Sequence, residues 1–330
     1  MCRHLGFGGQ RELLDYLKAV VPAHAFHSAA YYAKPGAATM TEKEWTGADL
    51  IFDLDADHLV RGPYSVMLSR VKEETLKLIT MLTGELGFDL RQMQVVFSGG
   101  RGYHIHIRDP SVRQWGSQER REIIDYVCGT GIDARVMLDS DARGWRNRYR
   151  EAVLSYLEWL CAQDKEAAVV HLATFDVGRR AALNFLERCN ERRESIRQGQ
   201  RGLLQRDRTL KLILTDENQE LTRRVRERGA LADEPVTTDI KRLIRMPSSL
   251  HGGSGFRVTP LTAGELEDFD PLIDAVVFGD RRVSIEPGVG LSMPILGNTY
   301  IIEKGKISTV PEALAIFLCC RGVAEIAGGS

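Results

Sequence analysis

The chain has 330 residues, 43% hydrophobic and 27% charged, with a formal net charge of -1. That composition belongs to a globular protein with one large domain or two smaller ones, and it excludes disordered and fibrous classes. The near-neutral balance excludes a uniformly basic surface, so any affinity for phosphates must come from locally gathered Lys and Arg.

Residues 10–21 (QRELLDYLKAVV) place apolar side chains at helical spacing, and Pro22 stops the run. Ala48 to Asp55 (ADLIFDLD) is a short apolar run ending in acids, which predicts a buried strand. From Val66 to Leu82, Leu68, Val71, Leu78 and Leu82 share one face while Lys72, Glu73, Glu74 and Lys77 lie elsewhere. This predicts an amphipathic helix closed by Gly84. Gln94 to Arg108 predicts strand, glycine turn, strand; in the second arm Tyr103, Ile105 and Ile107 alternate with His104, His106 and Arg108. Beyond Pro110 the chain is rich in Arg and helix formers, with helical periodicity over Glu151 to Cys161 and Arg179 to Arg197. Strand-like segments return at Arg257–Val258, Val283–Ile285 and Thr299–Ile302, followed by a helical Glu312 to Leu318. An α/β (α+β) core formed by 1–110 and 235–330, interrupted by a mainly helical insertion over 111–234, is the expected architecture.

Six cysteines (Cys2, Cys128, Cys161, Cys189, Cys319 and Cys320) form no CxxC pair and no zinc-type spacing with His. They read as reduced structural thiols of a cytoplasmic protein. The N-terminus lacks an apolar signal core, and no apolar run reaches the roughly 18 residues of a membrane span, so no membrane role is expected.

Three segments carry chemistry. In Phe52-Asp53-Leu54-Asp55-Ala56-Asp57-His58, a strand turns the carboxylates of Asp53 and Asp55 to the same side. Two adjacent carboxylates repel unless a cation sits between them, and hard oxygen ligands suit Mg²⁺ or Mn²⁺ rather than zinc. A solvated acidic turn is the plain alternative. A strand followed by Asp-x-Asp also opens haloacid-dehalogenase-type phosphatases, but Asp57 stands where those enzymes need Thr or Val.

The second segment, SGGRGYH (98–104), puts Ser98, Arg101 and His104 around glycines that let backbone approach an anion, which fits a triphosphate tail. An ordinary hairpin turn is its alternative. The third, Val236 to Gly252, gathers Asp239, Lys241, Arg242, Arg245, Ser249 and His251 around Pro247. It offers a third carboxylate and more phosphate ligands, or it is an exposed charged loop.

Taken together and in this order, the three segments resemble the motifs of the small catalytic subunit of archaeal and eukaryotic DNA primases, over nearly the whole chain. The resemblance implies a primase-type catalytic core. It assigns Asp53, Asp55 and Asp239 to catalysis and to binding Mg²⁺ or Mn²⁺. Ser98, Arg101 and His104, with Arg245, Ser249 and His251, are assigned to the nucleotide. It further implies a heterodimer with a large iron–sulfur subunit, a single-stranded DNA template, NTPs or dNTPs as substrates, and contact with the replication polymerase and helicase. Leu59 to Gly84 contains no cysteine, so the zinc knuckle many relatives carry there, and with it a structural zinc, is not expected. The resemblance also implies an additional N-terminal segment before the first motif, so the start is expected either to be truncated or to belong to a branch that does without it. A repair-type primase–polymerase and a non-catalytic template-binding scaffold are the rival functions.

Overall fold

The computed structural model describes residues 2–56, 62–139 and 144–327. Asp57 and His58, which close the acidic motif, and the start of the cysteine-free stretch at Leu59 lie outside them. Two compact units divide the chain, Met1–Ile124 with Ala232–Ser330 and, separately, Asp125–Leu231.

The first unit is α+β, and every strand pairing in it is antiparallel. Its four-stranded sheet runs in the order Leu50–Asp55, Gly102–Ile107, Met93–Phe97, Thr259–Leu261. The glycine turn joins the two middle strands, and the register sets Asp53 opposite His104 and Asp55 opposite Gly102. Arg120, only 1% exposed, pins the start of the acidic strand by donating to the carbonyls of Ala48 and Asp49, both at 2.8 Å.

The helix Tyr64–Gly84 packs on the strands Leu50–Asp55 and Gly102–Ile107 through Leu68, Val71, Leu78 and Leu82, as their spacing predicts. Each such side chain contributes about 1.5–3 kcal/mol by leaving water. Glu74 departs from the amphipathic pattern. It is buried, and its carboxylate survives there because Lys77 meets it at 2.8 Å and Arg70 at 3.5 Å.

The expected polar face of Gly102–Ile107 is covered as well: His104 and His106 are both buried. A second layer, the strand pair Phe26–Ser28 and Leu243–Arg245, supplies His27, whose ring stacks on His106 at 6.0 Å. Ala29, Ile51, Val236 and Ile244 form the apolar contact between these layers. Alternation along one strand reports polarity, and here both sides are packed.

Toward the C-terminus, Ser308–Pro311, Arg282–Pro287 and Ala324–Ile326 form a three-stranded sheet beside the helix Glu312–Cys320. The predicted strand at Arg257–Val258 is instead a single bridge between Leu250 and Arg257, and regular pairing begins only at Thr259.

The second unit contains only helices among its described residues. Trp145–Ala162 is central, burying Val153, Tyr156, Leu157 and Leu160. It packs against Ala134–Leu138, Cys189–Arg197 and Gln219–Arg228. The run from Arg179 to Arg197 is two helices, Arg179–Glu187 and Cys189–Arg197, because Arg188 leaves helical geometry at ψ 20°. The cysteine expectation also needs correction. Cys161 and Cys189, 28 residues apart, are disulfide-bonded between two helices, which spacing alone did not reveal. Among the described residues, no helix is long and apolar enough to cross a membrane.

Candidate active site

The glycine turn is shaped from within by Ser98. Its Oγ accepts the amides of Gly100 and Gly102, each at 3.2 Å, while its own amide donates to the Gly102 carbonyl at 2.9 Å. Two of the amides that the sequence offers to a phosphate are therefore already taken. The hydroxyl proton stays available, and Ser98 faces the cavity. Gly99 adopts φ +77°, and a Cβ there would lie 2.6 Å from the Cβ of His251, so only glycine lets the third segment approach the turn.

A cavity of 480 Å³ opens beside this turn. Asp53, Asp55, Ser98, Arg101, His104, Arg245 and His251 all line it, so three segments distant in sequence meet there. Asp53 and Asp55 come from one strand and share a side, as the period-two geometry requires. His104 Nε2 lies 3.5 Å from Asp53 Oδ1. Burial first, then the charge of Arg245, pushes the His104 imidazole down to about 3, so it is neutral at physiological pH. It faces the acid as an uncharged N–H donor rather than as a cation.

His251 is neutral too: burial and then Arg245 push it down to about 4. The Gly253 amide donates to its Nδ1 at 3.2 Å, which leaves the proton on Nε2. Arg245, opposite Phe26 in the strand pair, lays its guanidinium 4.6 Å over the Phe26 ring and bonds the His24 ring nitrogen at 2.5 Å. Stacking and this bond hold it rigidly.

Two predicted residues stand elsewhere. Ser249 does not line the cavity; its hydroxyl donates to the Met246 carbonyl at 2.7 Å and closes a turn. Asp239 is exposed at the end of the helix Glu234–Thr238, where its carboxylate accepts the Lys241 amide at 2.9 Å. It is not a lining residue, and among the described residues no group of three potential metal ligands forms. The same helix is nevertheless tied to the acidic strand, since the Asp233 amide donates to the Asp53 carbonyl at 2.8 Å.

Arg242, Arg321, Phe26 and Ser254 also line the cavity and were not singled out from sequence. Arg242 was visible as one of several basic residues in the third segment. Arg321 follows an apolar helix and reads there as an ordinary terminal cation. Four arginines and two carboxylates thus share one cavity, which suits a substrate with several negative charges and a cation bound beside it. The donor set fits a hard divalent ion, which takes one or two carboxylates and completes its shell with water and phosphate oxygens.

A carboxylate pair on a strand, facing an arginine-lined cavity across a glycine turn, is the arrangement of a nucleotidyltransferase, an enzyme class that works with divalent metal. The chain belongs to the DNA primase small subunit family, whose model matches residues 52–263. It is 54% identical to the DNA primase small subunit PriS of Methanoregula boonei, with 99% of this chain and 88% of that protein aligned. It is also 54% identical to PriS of Methanosphaerula palustris, covering 100% and 88% respectively. With PriS of Methanosarcina mazei the identity is 41%, over 98% of this chain and 86% of that one. This chain is accordingly a primase-type nucleotidyltransferase of DNA replication.

Proposed function

We propose that the first unit is the catalytic core and that it joins nucleotides into short primers on single-stranded DNA, from NTPs or dNTPs, as partner of a large iron–sulfur subunit. The observation that carries this is the shared cavity: the acids of the four-stranded sheet, with arginines and neutral histidines around them from the glycine turn, the second strand layer and the segments that follow. Asp53 and Asp55 would hold Mg²⁺ or Mn²⁺, which when bound stabilises charge on the triphosphate and activates the attacking hydroxyl. Arg101, Arg245, His251 and Ser98 bind and orient the phosphates, and their preorganised donors favour the charge that builds during in-line displacement. His104 steadies the Asp53 carboxylate through its N–H. Asp239 is proposed as the third catalytic carboxylate, supported by the backbone link between its helix and the acidic strand. Holding two nucleotides together on a template lowers mainly the entropic part of the barrier. The helical unit is proposed as the insertion in this core, and the protein as cytoplasmic.

The test is primer synthesis on primer-free single-stranded DNA with Mg²⁺ or Mn²⁺, comparing wild type, Asp53→Ala and Asp239→Ala. Loss of at least about 100-fold is expected for Asp53→Ala. Equal activity in all three proteins overturns the proposal, and activity confined to pre-formed primer ends reassigns the chain to extension rather than initiation.

A further inference from the structure

Arg321 stands at the C-terminal end of the helix Glu312–Cys320, beyond residue 263, where the family match stops. Its guanidinium lies 5.2 Å over the Tyr64 ring and 5.3 Å over the Phe317 ring. Those two rings meet edge to face at 5.1 Å, and Phe317 stacks on Phe256 at 5.2 Å, so the arginine rests on a continuous aromatic wall. The wall is tied to the glycine turn, because the Tyr64 hydroxyl donates to the Gly100 carbonyl. Although stacked, Arg321 is exposed, lines the cavity, and has no carboxylate partner among the described residues. Its charge also reaches His251, where it contributes to the lowered pKa.

A guanidinium carries five N–H donors, and stacking fixes its plane without using any of them. It shares the cavity with Arg101 and the neutral His251, so its free N–H groups can meet an anion that those residues also face. We infer that Arg321 is a phosphate ligand of the bound nucleotide, preorganised by Tyr64 and Phe317; this rests on the nucleotide-binding role proposed above. The competing role is purely structural: a cation at a helix C-terminus complements the helix dipole.

Equilibrium binding of a nucleoside triphosphate, diphosphate and monophosphate, with Mg²⁺ present, separates the two roles in wild type, Arg321→Ala and Arg321→Lys. Arg321→Ala is expected to weaken triphosphate binding by about tenfold or more and monophosphate binding by less than about twofold. Arg321→Lys keeps the charge but loses the planar fork, so it recovers part of the triphosphate affinity. Thermal melting of each variant checks the fold. Unchanged triphosphate affinity in Arg321→Ala, or an equal loss for all three nucleotides, overturns the inference while leaving the nucleotide site intact. A wild-type protein that does not prefer the triphosphate instead removes the nucleotide site, and the role of Arg321 falls with it.

Discussion

Replacing Gly102 by alanine tests whether the glycine turn and the acidic strand are one rigid device. Gly102 pairs with Asp55, and a Cβ added there would lie 2.4 Å from the Leu54 carbonyl oxygen and 3.3 Å from the Asp55 Cα. Real Cβ atoms essentially never come within 3.0 Å, so the deficit is 3.0 − 2.4 = 0.6 Å at least. The obstacle is backbone, which does not rotate aside as a flexible side chain would. The two strands must separate, and the displaced residues are Asp55 and Leu54. Leu54 joins Asp55 to Asp53, and those are the two carboxylates proposed to hold the metal. A shift approaching 1 Å in such a site costs on the order of 100-fold in rate, whereas overpacking costs about 1–3 kcal/mol of stability. Primer synthesis on single-stranded DNA, read beside urea unfolding, distinguishes the two effects. Gly102→Ala should remain folded and lose nearly all turnover. A variant with turnover within about threefold of wild type would show that the ladder does not set the geometry of the acids.

Arg120→Met should lower unfolding stability by about 3 kcal/mol or more in urea titrations, because it strands the carbonyls of Ala48 and Asp49 in the interior; a loss below about 1 kcal/mol refutes this. For His251, the folded pKa of about 4 lies below the ordinary value of 6.5. Between those values the unfolded chain takes up a proton that the folded chain refuses, so stability falls as pH drops through this window and is complete above it. His251→Gln should flatten the wild-type stability curve over that range, and parallel curves for the two proteins would contradict the assignment. Reducing the Cys161–Cys189 bond, or replacing both cysteines by serine, should lower the stability of the helical unit by about 3.6 kcal/mol, from the loop their 28-residue separation closes. Peptide mapping without reductant checks the bond itself, and absence of the cross-linked peptide removes it.

The central elements were legible because their signals are local. The Leu50–Asp55 strand, the Tyr64–Gly84 helix and the SGGRG turn each announce themselves by period or by glycine. The meeting of the acidic strand, the turn and His251 was legible only through resemblance, since nothing in the period of one segment specifies its distance from another. What escaped was long-range. Arg321 and Phe26 enter the cavity through packing of remote elements, and the buried His104–His106 face depends on a second layer that the strand itself does not encode. Ser98 was identified as a phosphate ligand for its hydroxyl, yet much of that hydroxyl's bonding capacity serves the turn. The disulfide was missed for the same reason: a helical sequence does not state which other helix it will lie against.

The pairing of Asp53 with His104 and of Asp55 with Gly102 has an evolutionary corollary. The acidic strand and the strand leaving the glycine turn face each other across the rungs of one ladder, so the spacing of the proposed cation and anion sites is written in peptide hydrogen bonds and needs no hinge to bring them together. The chain connecting them supplies the packed helix Tyr64–Gly84 and the neighbouring strand Met93–Phe97, so only the loops between those elements are free to change length without retuning the chemistry. Diversity among such enzymes should accumulate in those loops, while the rungs stay fixed.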